Sequence, residues 1–144
     1  MDLLTFPDLP VLLDRLVHVA LAFALAFPVG WNREHSSTDS AGIRTFPLVS
    51  VAACAFVLTG NTLFDHPDAQ ARVIYGVMTG IGFIGGGAII KGNNGVAGTA
   101  TAASIWNTGA IGVTVAYDLW DVALMLSVIN FLVLQFGHRP ESAG

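Results

Sequence analysis

Cysteine, charge and basic clusters are all scarce in this chain, and each shortage removes a class of protein. The one cysteine, Cys54, lies inside an apolar run, so an intrachain disulfide framework and a multi-cysteine zinc site are excluded. Its thiol reads as a small buried apolar group. Charged residues make up 11% of the 144, where a soluble domain carries about 25%. The net charge is −4 and no Lys or Arg adjoins another. Nucleic-acid binding needs clustered cations to neutralise phosphates, so no nucleic-acid partner is expected.

What the chain does have is apolar surface: 53% of its residues are hydrophobic and the mean hydropathy is +0.67. A domain this small exposes much of its surface, so the expected surroundings are a lipid bilayer. The few charges divide the sequence into uncharged intervals at residues 16–32, 45–64, 73–90, 92–117 and 122–138, of 17, 20, 18, 26 and 17 residues. A membrane-crossing helix needs about 20 mainly apolar residues. The longest interval also contains the turn Gly92-Asn93-Asn94-Gly95. These intervals predict an all-α membrane protein of about five transmembrane helices with no soluble domain. It forms a single domain over 1–144, with spans near 11–31, 45–64, 73–90, 97–117 and 121–137. Four spans plus one peripheral helix is the alternative. A cleaved signal peptide fits the first span poorly, because Asp2, Asp8 and Asp14 stand where such a segment is basic.

Lys and Arg are biased toward cytoplasmic loops. Arg33, Arg44, Lys91 and Arg139 fall on one predicted side, and Asp65, Asp68, Asp118 and Asp121 on the other. That predicts an outside N-terminus and a cytoplasmic C-terminus, with Arg15 and Arg72 snorkelling at helix ends. Trp31, Tyr75, Tyr117 and Trp120 fall near span ends, where amphipathic rings favour the interface.

The third span is dense in glycine: Gly76, Gly80, Gly82 and Gly85-Gly86-Gly87. Gly80-Ile81-Gly82-Phe83-Ile84-Gly85 matches G-x-G-x-x-G, but it sits inside an apolar run and no acidic residue follows until Asp118. A dinucleotide site needs a preceding strand and an acidic residue about 20 positions on. The P-loop spacing before Lys91 is not met either. Gly76/Gly80 and Gly82/Gly86 instead set small residues four apart, as do Gly98/Ala102 and Ser104/Thr108 in the fourth span, which suits close helix packing. A tight hairpin of spans three and four is expected. Packing within one subunit, a subunit interface and a ligand-lined cavity all fit the pattern. Asn107 and Asn130 are amides that must find partners in hydrocarbon, and read as links between helices. Mid-membrane carboxylates are missing, which disfavours a dedicated Mg²⁺ site or a pump built from this chain alone. Arg33, Glu34 and Arg44, with Asp39, form a candidate ion cluster at the cytoplasmic face, for which positive-inside anchoring is the simpler reading. His35 beside it reads as an ordinary solvated histidine.

In this order, four stretches resemble the MgtC/SapB family of small bacterial membrane proteins. They are Gly30-Trp31-Asn32-Arg33-Glu34; Ala41-Gly42-Ile43-Arg44-Thr45; Arg72 with Gly80-Ile81-Gly82-Phe83-Ile84-Gly85-Gly86-Gly87; and the run from Val96 through Gly98 and Thr101 to Trp106. The chain departs from the family's pattern at Asn32 and Ala97, where the family favours charge, at Thr99-Ala100, and in stopping after the fifth span. Roles resting on charge at positions 32 and 97, or on an added C-terminal domain, are not carried over. The resemblance implies an inner-membrane location and a link to low-Mg²⁺ adaptation and intracellular survival. It also implies regulators that act on the membrane sector of ATP synthase.

The expected function is that of a factor in Mg²⁺ homeostasis that is not an enzyme, needs no cofactor or metal, and acts through membrane-protein partners. Gly76, Gly80, Gly82, Gly86 and Asn107 would supply the packing or partner interface. The alternative is a small homo-oligomeric transporter or channel subunit for Mg²⁺ or another solute. In that reading Gly85-Gly86-Gly87 and residues 95–98 line a cavity near Lys91.

Overall fold

The computed structural model describes residues 7–36, 42–92 and 95–136. Among them are five α-helices and one short hairpin: α1 (Leu9–Ser36), α2 (Thr45–Leu63), α3 (Pro67–Gly87), β1 (Ile90–Gly92), β2 (Gly95–Ala97), α4 (Thr99–Ala116) and α5 (Trp120–Phe136). The all-α expectation therefore holds apart from the two strands.

α3 starts six residues before the predicted span. Pro67 occupies the first turn, where no amide donor is needed, and the His66 ring caps the helix by accepting from the Asp68 amide at 3.4 Å. Arg72, expected at a helix end, lies inside α3. The predicted turn at 92–95 belongs to an antiparallel hairpin in which Ile90 faces Ala97, Lys91 faces Val96 and Gly92 faces Gly95. Gly98, at φ +81°, then turns the chain into α4. That conformation suits glycine, and a Cβ there would strike the Ala88 carbonyl oxygen.

α4 is the central helix and packs against the other four. Three glycines bring backbones together around it. Gly112 lies against the Ser50 carbonyl of α2, Gly109 receives Ile81 of α3, and a Cβ on Gly85 would stand 3.0 Å from the Ala102 carbonyl oxygen. Two apolar clusters fill the interior. One joins Ala22, Cys54, Val57, Ile111, Val115 and Ala123; the other joins Val29, Phe46, Val49, Ile81, Ile105 and Leu134. α3 is the least embedded helix, with Ile81 and Gly85 as its buried residues.

The outside is apolar too: Phe83 is 86% exposed and Phe136 78%. By length and composition, two helices are long and apolar enough to cross a membrane, at Leu9–Asn32 and Thr45–Leu63; Trp120–Phe136 is a shorter apolar helix. Glycine, Ser and Thr dilute the hydropathy of α3 and α4.

Contacts fix the two ends of the bundle. The start of α1 meets the end of α2 through Arg15 and Thr62, and meets the α4–α5 turn through His18 and Asp118. At the opposite end, Asn32 of α1 bonds Gln135 of α5, and Gly30 abuts Gly42 and Ile43.

Candidate functional site

The glycines of α3 divide into two sets. Gly85 packs on α4, as described, whereas an added Cβ at Gly76, Gly80, Gly82 or Gly86 meets nothing within 4 Å. Close packing inside this chain, one of the uses the four-residue spacing fits, is therefore not what occupies these four positions. Gly76 and Gly80 line a groove of about 420 Å³ between α2 and α3, walled by Val49, Ala52, Phe56, Val73 and Ile84. Gly82 and Gly86 are exposed, and so are Tyr75 and Phe83. The helix thus leaves these four glycines open while Ile81 and Gly85, with the partly buried Ile74 and Val77, hold it to the bundle.

The interior of α4 is polar on one side. The Asn130 amide of α5 donates to the Ser104 carbonyl at 3.1 Å and to the Thr108 hydroxyl at 3.3 Å, and Thr108 donates to the same Ser104 carbonyl at 2.8 Å. The Asn107 amide donates to the Leu126 carbonyl at 3.1 Å. Both asparagines tie α4 to α5, and one donor of the Asn107 amide is thereby engaged within the chain. The Ser127 hydroxyl of α5 donates to the Leu25 carbonyl of α1 at 2.6 Å. Pro28, three residues further along α1, cannot supply the helical donor to the Ala24 carbonyl, which adjoins Leu25 in sequence.

The predicted ion cluster is only partly visible. Arg33 and Glu34 belong to the helical backbone of α1, their side chains lie outside the described residues, and Asp39 lies outside them altogether. Arg44 is exposed immediately before α2. The cavity envisaged around 85–87 and 95–98 is not an enclosed one. Gly85 and Gly98 are pressed against backbone carbonyls, and what remains is a shallow depression of about 280 Å³ over the hairpin, touching Ile90, Gly92 and Gly95.

One residue escaped the sequence reading. His18 is 4% exposed, and its ring lies between the backbone carbonyl of Asp14 and the carboxylate of Asp118. The available signal was local: a histidine four residues after an aspartate, a spacing that places both on one face of the helix. No group of three or more His, Cys, Asp or Glu side chains suited to a metal ion occurs among the described residues.

These features define an apolar five-helix bundle with a glycine-rich third helix, and this chain belongs to the MgtC family, whose profile matches residues 19–143. It is 33% identical over 134 residues to the protein SrpB of Synechococcus elongatus, covering 84% of this chain and 73% of that one. It is 30% identical over 133 residues to YhiD of Escherichia coli strain K12, whose name proposes a magnesium transporter, covering 88% and 61%. It is 31% identical over 134 residues to the protein MgtC of Salmonella typhimurium strain LT2, covering 90% and 55%. The chain thus spans little more than half the length of the last of these. No solved structure matches it.

Proposed function

We propose that this protein is a multi-pass component of the bacterial inner membrane that supports Mg²⁺ homeostasis by binding another membrane protein, without catalysing a reaction. The observation that carries this reading is the pair Gly76 and Gly80, which line an open apolar groove, whereas Gly60, Gly85, Gly109 and Gly112 are filled by neighbours. A transmembrane helix with a complementary small-residue face fits such a groove, because close backbone approach drives association in lipid. The membrane sector of ATP synthase is one partner of that kind, and a second copy of the chain is another. The membrane placement draws on the apolar exterior and on helix lengths of 17 to 28 residues, or roughly 26–42 Å against a hydrocarbon core of about 30 Å. Arg44 and Lys91 would face the cytoplasm with Arg33 and Glu34, and the Asp-rich end would face outward. The link to Mg²⁺ rests on the family and on the name of its Escherichia coli relative.

The test is Gly76→Leu with Gly80→Leu. The paired variant is expected to keep its helix content, lose its partner in membrane pull-down and fail to support growth at low Mg²⁺. Unchanged capture and growth would remove the groove from the mechanism. Orientation is checked with Cys54→Ala carrying either Lys91→Cys or Asp68→Cys; only the second is expected to react with an impermeant thiol reagent in intact cells.

The name of that relative also favours a second reading, an oligomeric Mg²⁺ transporter or channel subunit. Mg²⁺ flux into proteoliposomes of the purified protein, abolished by a substitution in the bundle, would establish it in place of the first.

A further inference from the structure

His18 stands one helical turn after Asp14, on the face of α1 that meets the α4–α5 turn. Its Nδ1 donates to the Asp14 carbonyl oxygen at 2.8 Å, and its Nε2 lies 3.0 Å from Asp118 Oδ1. A carbonyl oxygen and an ionised carboxylate both only accept, whereas a neutral imidazole carries a single N–H. With one proton, the ring satisfies one contact and sets a lone pair against an oxygen at the other. Only the ring protonated at both nitrogens donates to both.

The Asp118 side of the contact is under tension. Asp118 is at φ +59°, in the left-handed region, at the turn where α4 gives way to α5. Aspartate tolerates this region better than most residues, but a side-chain partner still helps to hold it there. The bond therefore fastens a reluctant turn to a helix 100 residues away in sequence.

The surrounding charges are few. On α1, the Asp14 carboxylate is 3.7 Å from Nδ1, and Arg15 donates to Thr62 of α2. From the α4 end, Tyr117 donates to Asn61 of α2. On α5, Asp121 is exposed, and the Trp120 ring lies 5.0 Å from the imidazole. Cys54 of α2 is buried deeper, in the cluster with Ala22.

We propose that His18 and Asp118 form a proton-operated clasp at the acidic end of the bundle. With both ring nitrogens protonated, α1 is latched to the α4–α5 turn. When the ring gives up one proton, the latch opens and the turn is released. The proton passes to water beside Asp118, whose side chain is 69% exposed. The stability that the clasp supplies is thus present with the ring charged and is lost as pH rises.

The contact with Trp120 makes the clasp visible, because a protonated imidazole beside an indole quenches its emission. In the full chain carrying Trp31→Phe and Trp106→Phe, Trp120 is the remaining tryptophan. Its emission in detergent micelles is expected to fall between pH 8 and pH 5, and to lose that dependence in His18→Gln. The unfolding temperature is expected to be higher at pH 6 than at pH 8. That difference should vanish in His18→Gln and in Asp118→Asn but persist in His66→Asn, which changes the exposed histidine just before α3. If His18→Gln does not fold, Asp118→Asn at its exposed position decides the matter. Emission that still titrates without His18, or a full melting difference without the Asp118 carboxylate, overturns the clasp.

Discussion

Ile81 of α3 is seated in the notch that Gly109 leaves in α4. A Cβ at Gly109 would collide with Ile81 Cδ1 and would stand 3.2 and 3.3 Å from its Cγ1 and Cγ2. Overpacking of this kind costs about 1–3 kcal/mol. Gly109→Ala is therefore expected to destabilise the protein in that range, read by reversible unfolding in mixed micelles. Adding Ile81→Ala removes the obstruction, so the double variant should lose less than the two single losses combined.

Gly112 is a harsher position, because the atom in the way is the Ser50 carbonyl oxygen and no rotamer can move it aside. Gly112→Ala is expected to exceed the loss at Gly109 and to separate α2 from α4. Reduced yield of folded protein and a lower unfolding temperature than Gly109→Ala are the signs to look for. Equal stability would mean that the two helices slide past each other at little cost.

Gly76 behaves in the opposite way. It sits in a helix interior with nothing within 4 Å of an added Cβ. Replacing a helical glycine with alanine gains up to about 1 kcal/mol when nothing clashes. Gly76→Ala should therefore raise the unfolding temperature, whereas the bulkier Gly76→Leu fills the groove.

These opposite outcomes mark the boundary of what the sequence conveys. Charge spacing separated five apolar segments because most of the charges fall near helix ends and turns, although Arg72 lies inside α3. The spacing of small residues was equally plain, but it is the same for a glycine that is packed and for one that is open. The side of α3 that meets α4 carries Ile81 and Gly85, and nothing in the periodicity singles these two out. The hairpin was hidden because three-residue strands leave no alternating pattern to read. His18 and Asp118 meet only once α1 and α4 are packed, so their contact belongs to the tertiary fold and not to either segment.

Asn130 donates twice into α4, to Ser104 and Thr108. Polar contacts between membrane helices contribute about 0.6–2 kcal/mol. Asn130→Ala is expected to fall in that range by chemical unfolding. Asn130→Ala in a Thr108→Val background should cost less than in the native sequence, because the two substitutions share one contact.

Gly98 closes the hairpin onto α3. Its φ of +81° and the adjacent Ala88 carbonyl leave no room for a side chain. The left-handed conformation alone costs a non-glycine residue about 1–2 kcal/mol, and the steric conflict adds to it. Gly98→Ala should loosen the α3–α4 connection, seen as faster protease cleavage between Ile89 and Thr99 with the rest of the chain still resistant.

The shallow seating of α3 has a consequence for how the molecule comes apart. Resistance to opening follows buried contacts, and α3 contributes two buried residues where α4 contributes ten. The bundle is therefore expected to open in steps rather than as one cooperative unit. Amide exchange should start along α3 while α4 and its partners remain closed, so the segment that carries the open groove is also the first to yield.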